Sequence, residues 1–272
     1  AEPGSVEFIE RISRAWEVAD ESTGSVLGDP AFVDVPVAEL TDPDRAAQVA
    51  ATVTQVAGPP AGAGQPAGDE LTAAGESAGD VTAAAGPGNT THISVVDSTG
   101  MAVSMTNTLT HWFGSGEYHA GFFLNDQLTR FSAIESVANR PEPGKCSVSW
   151  SLPLMVLDDQ ERAVLVIGTP GGRLIPNIVT GIYARWAWHG QDLAEAVAAP
   201  RFHLEGQTMR VEAAMSNAVI DELSARGYEI EVVPDSMYSY GSVNALQVDP
   251  ETGELAGAAD RRRLADVAIS EP

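Results

Sequence analysis

The residues best suited to chemistry lie where the chain changes character. The segment Gly86-Pro87-Gly88-Asn89-Thr90-Thr91 follows a run dominated by Ala, Gly and Pro and opens abruptly into β-favouring sequence. Cleavage of the Asn89–Thr90 bond would turn Thr90 into an N-terminal threonine. Its hydroxyl would be a nucleophile and its own α-amine, with a pKa of about 8, the base. The same hydroxyl can make the cut by attacking the Asn89 carbonyl, giving an ester that water opens. The plain alternative is a strand that starts with two threonines.

Other reactive residues organise less well. The five histidines, His92, His111, His119, His189 and His203, include no His-x-x-x-His pair that would set two metal ligands on one helical face. Packing or hydrogen bonding is expected of them, and no metal site is expected. The loop Gly168-Thr169-Pro170-Gly171-Gly172 lacks the Gly-Lys-Ser/Thr of a nucleotide-binding loop. The one Gly-x-Ser-x-Gly string, Gly75-Glu76-Ser77-Ala78-Gly79, lies inside the Ala/Gly/Pro-rich run and not between a strand and a helix, so no nucleophile elbow supports a serine hydrolase. Cys146, the only cysteine, reads as a small buried apolar group and cannot form an intrachain disulfide.

The elements that must position these residues differ on the two sides of the break. Val6–Glu21 spaces Val6, Phe8, Ile9, Ile12, Ala15, Trp16 and Ala19 by three and four, as an amphipathic helix does. A short extended piece, Phe32–Val37, precedes a second helix with Thr41 as N-cap and Pro43 in its first turn. Residues 57–89 contain 22 Ala, Gly or Pro among 33 and no aromatic, too little apolar surface to offset ordering, so a flexible linker is expected. From Thr90 the period becomes two, and Thr90–Asp97 and Met101–Leu109 read as a β-hairpin about a Ser-Thr-Gly turn. Strands are expected at Leu154–Leu157, Ala163–Ile167, Gln207–Val211, Glu229–Val233, Val243–Val248 and Leu255–Ala258. Helices fit Ile175–His189, Leu193–Ala198 and Ser216–Arg226. Hairpins and helices without regular βαβ alternation favour an antiparallel α+β layer fold over a Rossmann type.

Composition narrows the function classes. The 272 residues carry 15 Lys plus Arg against 38 Asp plus Glu, a net charge of −23. Such a surface repels phosphate backbones and anionic lipid, so neither nucleic acid nor membrane is an expected partner. The start lacks the basic-then-apolar pattern of a signal peptide, and the longest apolar run, Leu174–Trp188, is interrupted by Pro176 and Arg185. A soluble chain of unassigned compartment is expected.

Five blocks in order carry a resemblance: Thr90-Thr-His-Ile-Ser-Val-Val-Asp with Gly100, Phe113-Gly-Ser-Gly, Gly121-Phe-Phe-Leu-Asn-Asp-Gln, Gly168-Thr-Pro-Gly-Gly and Ala199-Pro-Arg-Phe-His. Together they resemble the γ-glutamyltranspeptidase family of N-terminal nucleophile hydrolases. Upstream, Gly28-Asp-Pro-Ala-Phe-Val-Asp-Val-Pro is similar to the end of that family's large subunit. The resemblance implies an αββα sandwich, autocatalytic cleavage into two subunits, and acyl transfer from γ-glutamyl compounds such as glutathione to water or an amine, with no cofactor. By motif, Asn89–Thr90 is the cleavage point, Thr90 the nucleophile and Thr108 the hydroxyl that hydrogen-bonds it. Gly171 and Gly172 match the adjacent glycines whose amides form the oxyanion hole.

The substrate contacts depart from the family pattern. Gln127 is retained, but the acidic residue expected three positions later is Arg130, an Asn contact falls on Thr110, and the paired serines align with Ser149 and Trp150. At about 4 Å and an effective dielectric near 20, exchanging acid for Arg turns an attraction of about 4 kcal/mol for the glutamyl ammonium into a comparable repulsion. Arg130 suits a second carboxylate or a peptide-linked glutamate, as in relatives that process poly-γ-glutamate or remove glutaryl groups. Family precursors are also longer.

The expected organisation is therefore residues 1–56 as the tail of a large-subunit-like region, 57–89 as a pre-cleavage linker and 90–272 as a small-subunit-like catalytic region. The sandwich would be incomplete at its N-terminal side, leaving the Val6–Glu21 helix under-covered, with a missing large-subunit region as partner. The function expected is an autoprocessing amidohydrolase or acyltransferase acting on γ-glutamyl, glutaryl or poly-γ-glutamyl amides. The alternative is a truncated, inactive family member serving only as a binding or scaffold protein.

Overall fold

The computed structural model describes residues 1–54, 58–59, 90–133, 136–234 and 240–270. Most of the expected linker, Asn89 included, lies outside them. The described residues form two compact units of α+β type. The first draws on residues 1–79, 126–149 and 202–233, the second on 80–125, 150–201 and 234–272.

In the first unit α1 (Val6–Gly24) is capped by the Ser5 hydroxyl, which accepts the Phe8 N–H at 3.2 Å. Val6, Phe8, Ile9 and Ile12 are buried, whereas Ala15 and Ala19 are exposed. The buried face is not under-covered as expected, because later residues pack onto it. Phe8 meets Phe202 edge-on at 6.4 Å, Trp16 meets His203 at 5.7 Å, and the Ser13 hydroxyl lies on Met209 Sδ. Those partners belong to a sheet of β7 (Phe202–Glu205), β8 (Thr208–Glu212) and β9 (Glu229–Val233). β7 and β8 are antiparallel, but β8 and β9 are parallel, joined by α7 (Asn217–Ala225). This crossover corrects the expectation of purely antiparallel layers: a helix between two strands returns the chain to run in the same direction. Arg226 just beyond α7 bridges Glu7 and Glu10 of α1 as well as Glu222.

The piece Phe32–Val37 is a turn running into the short α2 (Val37–Leu40), not extended. Asp42, not Thr41, caps α3 (Pro43–Val53), since its carboxylate accepts the Asp44 and Arg45 N–H groups. Thr41 instead closes α2 on the Val37 carbonyl. Cys146 is exposed rather than buried. Its N–H donates to Asp29, and the bonds from Cys146 and Ala31 hold the Asp29 carboxyl below the usual range.

The second unit holds the hairpin of β1 (Thr90–Val96) and β2 (Ala102–Thr108), in register from Thr90↔Thr108 to Val96↔Ala102. Asp97 accepts the Thr99 and Met101 N–H groups in its turn, and Gly100 sits at φ +87°. β3 (Tyr118–His119) and β4 (Phe122–Phe123) form a small ribbon. α4 (Arg130–Ala133) belongs to the first unit. An antiparallel sheet runs β11 (Leu255–Ala259), β10 (Asn244–Val248), β6 (Ala163–Gly168), β5 (Leu154–Leu157). α5 (Ile175–Tyr183) and α6 (Leu193–Ala198) bury Ile178, Ile182 and Val197 with Leu165, Ile167 and Ala245 of the sheet. The helix expected to reach His189 changes to a π-helical turn over Ala184–Trp188.

Candidate active site

Period two explains how the hairpin is used. Thr90, His92 and Ser94 share one face of β1, and Ser104, Thr106 and Thr108 share the matching face of β2. That polar face is turned to the sheet. The Ser94 and Ser104 hydroxyls donate to the carbonyls of Asn244 and Ile167 at 3.1 and 3.3 Å, and Asn244 Nδ2 donates to the His92 carbonyl at 2.9 Å. The apolar residues Ile93, Val95, Val103 and Met105 consequently face outward and are exposed.

Thr90 and Thr108 are directly opposite at the open end of the hairpin, where facing side chains come close enough to touch. The Thr90 hydroxyl donates to Thr108 Oγ1 at 2.8 Å. The Thr110 N–H donates to the same oxygen at 2.9 Å.

His92 is 3% exposed, and burial pushes its pKa down to about 4, so the ring is neutral near pH 7. The Ser94 hydrogen is already given to Asn244, so Ser94 Oγ accepts from Nε2–H at 3.1 Å. Nδ1 then accepts the Thr106 hydroxyl at 2.8 Å. The ring lies against Gly168, where an added Cβ would come within 2.3 Å of His92 Cε1. The His92 ring of the strand bearing Thr90 therefore packs directly on the backbone of the strand leading into the glycine turn.

The turn itself requires its glycines. Gly171 and Gly172 take φ +146° and +56°, which L side chains rarely adopt. Thr169 Oγ1 donates to the Pro170 carbonyl and accepts the Ser242 N–H, binding the turn to Gly241–Val243. That segment is held by Arg201, which donates to the Tyr240 carbonyl and pairs with Asp260 at 2.6 Å, while Asp260 accepts the Val243 N–H. Burial acts to raise the Asp260 pKa, but Arg201 and Arg262 outweigh it and keep the carboxyl below its usual range. Among the residues singled out from sequence, Thr90, Thr108, Thr110, Gly171, Gly172 and Trp150 lie in this unit.

Gln127, Arg130 and Ser149 lie in the other unit. Gln127 Nε2 donates to Ser147 Oγ and the Val148 carbonyl. Asn139, fully buried, donates to the Arg130 carbonyl and accepts the Val148 N–H, tying these segments together. Arg130 is half-buried, which lowers its pKa against the opposing pull of Asp126. Sequence reasoning missed Asn139, for which no local pattern exists. It also missed Ser94, Ser104 and Thr106, which the alternation of the hairpin could have revealed. The histidines fall as expected for packing and bonding at His92 and His203, which are buried, and His111, His119 and His189 are exposed.

A pair of bonded threonine hydroxyls at the end of a hairpin and a glycine turn on the adjoining strand make up the candidate site. The sequence model of the gamma-glutamyltranspeptidase family matches residues 1–270, and the chain belongs to that family. The glutathione hydrolase proenzyme of Pseudomonas aeruginosa is 35% identical over 273 residues, covering 94% of this chain and 45% of that protein. The capsule biosynthesis protein CapD proenzyme of Bacillus anthracis is 37% identical over 175 residues, covering 64% and 32%. The chain thus spans less than half the length of these relatives. The structure of the gamma-glutamyltranspeptidase from Pseudomonas nitroreducens complexed with L-DON is 33% identical, with a TM-score of 0.59, covering 66% of this chain and 100% of that one. A cephalosporin acylase from Bacillus halodurans shares the fold over the whole chain, at a TM-score of 0.81 and 21% identity. Among the described residues no helix is long and apolar enough to cross a membrane.

Proposed function

We propose that the chain carries the self-cleaving and acyl-transferring centre of a γ-glutamyltranspeptidase-like enzyme, with Thr90 as nucleophile. The observation that carries this reading is the Thr90–Thr108 hydroxyl contact at the paired ends of β1 and β2. In maturation the Thr90 oxygen attacks the Asn89 carbonyl, the C–N bond breaks to give an ester and a free α-amine, and water releases the Asn89 carboxylate. In turnover the amine takes the hydroxyl proton as the oxygen attacks an amide carbonyl. The Gly171 and Gly172 N–H groups receive the oxyanion, a contribution of roughly 3 kcal/mol per donor. The proton passes to the leaving amine, and water or another amine takes the acyl group from Thr90.

Residues 1–56, 57–89 and 90–272 are then a large-subunit-like tail, a pre-cleavage linker and a catalytic region of an αββα sandwich. The exposed apolar face of the hairpin, Ile93, Val95, Val103 and Met105, supports completion of that sandwich by a large-subunit-like region. The donor is a γ-glutamyl, glutaryl or poly-γ-glutamyl amide. Motif correspondence gives Gln127, Arg130, Ser149, Trp150 and Thr110 to its recognition, with Arg130 favouring donors that carry an added carboxylate or lack a free ammonium. The chain is also similar to the acylase ACY 1 proenzyme of Pseudomonas sp., 31% identical over 259 residues, which supports an acyl-transferring centre.

Intact mass after incubation tests the reading, with Thr90→Ala as control. Two fragments meeting between Asn89 and Thr90, absent in the control, are expected, followed by faster release of glutaryl than γ-glutamyl anilide. A single uncut 28.5 kDa species, with or without the large-subunit-like region supplied, would refute it in favour of a binding or scaffold role.

A further inference from the structure

Thr110 has a backbone conformation that needs a reason. Its φ is +76°, a left-handed value that β-branched residues take only where the surroundings impose it. The turn just beyond β2 points the Thr110 N–H back to Thr108 Oγ1 at 2.9 Å, and the left-handed φ then carries the chain onward from that bond. A hydroxyl oxygen has two lone pairs, and here one faces the Thr110 N–H and the other the Thr90 hydroxyl. The Thr108 oxygen is thus held from two sides.

We propose that Thr110 is a positioning residue: its main-chain N–H fixes Thr108 Oγ1 and, through it, the direction of the Thr90 hydroxyl. The duty lies in the main chain and is separate from any contact of the Thr110 side chain with substrate. It also operates in both proton states. Accepting an N–H makes the Thr108 hydroxyl a stronger donor, so once the Thr90 oxygen has lost its proton Thr108 can return a hydrogen bond to it without moving. This inference rests on Thr90 being the nucleophile.

Replacing the Leu109–Thr110 amide with an ester, through the α-hydroxy analogue of Thr110, deletes the N–H alone. Self-cleavage is expected to slow about tenfold, while the thermal midpoint falls by less than about 4 °C. In the uncut Thr90→Ala chain the Thr110 amide should be protected from hydrogen exchange, and Thr108→Val should speed its exchange at least about tenfold. An ester chain that cuts at the parental rate overturns the inference, as does protection that survives Thr108→Val. A chain that never cuts while Thr110 stays protected through Thr108 overturns the nucleophile reading and leaves the contact between these two residues standing.

Discussion

At the scale of single residues, His92 shows how a polar side chain two positions from Thr90 is held in one state. Burial holds it neutral, and each ring nitrogen has a hydroxyl partner, that of Ser94 directed by its own bond to the Asn244 carbonyl. The cost appears in acid. An unfolded histidine titrates near 6.5 and the folded one at about 4, so the unfolded chain binds the proton first. This contribution is intact above about pH 6.5 and is lost as the pH falls toward 4, amounting to about 2–3 kcal/mol. Urea unfolding at pH 7, 5 and 4 should therefore show a steeper acid loss in the parent than in His92→Gln. Equal slopes would mean that another group governs the acid limb. Arg130 teaches the complementary lesson: its departure from the family pattern was visible as a residue type, whereas its half-buried setting was not.

At the scale of elements, the hairpin and β6 are matched by the absence of a side chain. A methyl group at Gly168 would lie 2.3 Å from the His92 ring, which cannot yield because its nitrogens are bonded on both sides. Gly168→Ala should push β1 off the sheet, destabilise the chain by about 2 kcal/mol and slow self-cleavage together with it. Denaturant midpoints and cleavage rates measured on one preparation would check this, and parental values for both would show that the ring can move aside. The hairpin was legible from its period of two and its Asp97–Gly100 turn, since both signals are local. The β8–α7–β9 crossover was not, because strand direction depends on which strands pair. The shift from α5 into a π-helical turn likewise left no mark that Leu174–Trp188 could be read by.

At the scale of the whole molecule, one compact unit is assembled from both sides of Asn89–Thr90. α1 sets Phe8 against Phe202 of β7 and Ser13 against Met209 of β8, with Ile9 fully buried between them in sequence, and Arg226 reaches Glu7 and Glu10 across the same boundary. The two fragments should consequently stay together after cleavage. Size-exclusion chromatography of the cut chain should give one peak without denaturant and two in urea. Ile9→Ala, which removes a fully buried side chain at a cost of about 3 kcal/mol, should lower the urea needed to part them. Two peaks without urea would show that this core does not hold them.

Local order in the sequence determined the hairpin, α1 and most of the longer helices and strands, which threonine follows the composition break, and which family the motifs resemble. Such features depend on neighbours within a few positions, and hydrophobic period and turn chemistry report them directly. Only the tertiary structure decided that His92 is neutral against Gly168, that the polar face of the hairpin bonds the carbonyls of Ile167 and Asn244, and that α1 is covered by strands some two hundred residues later. Those outcomes join residues far apart in the chain, where burial and hydrogen-bond geometry are set by packing, and no local pattern encodes them.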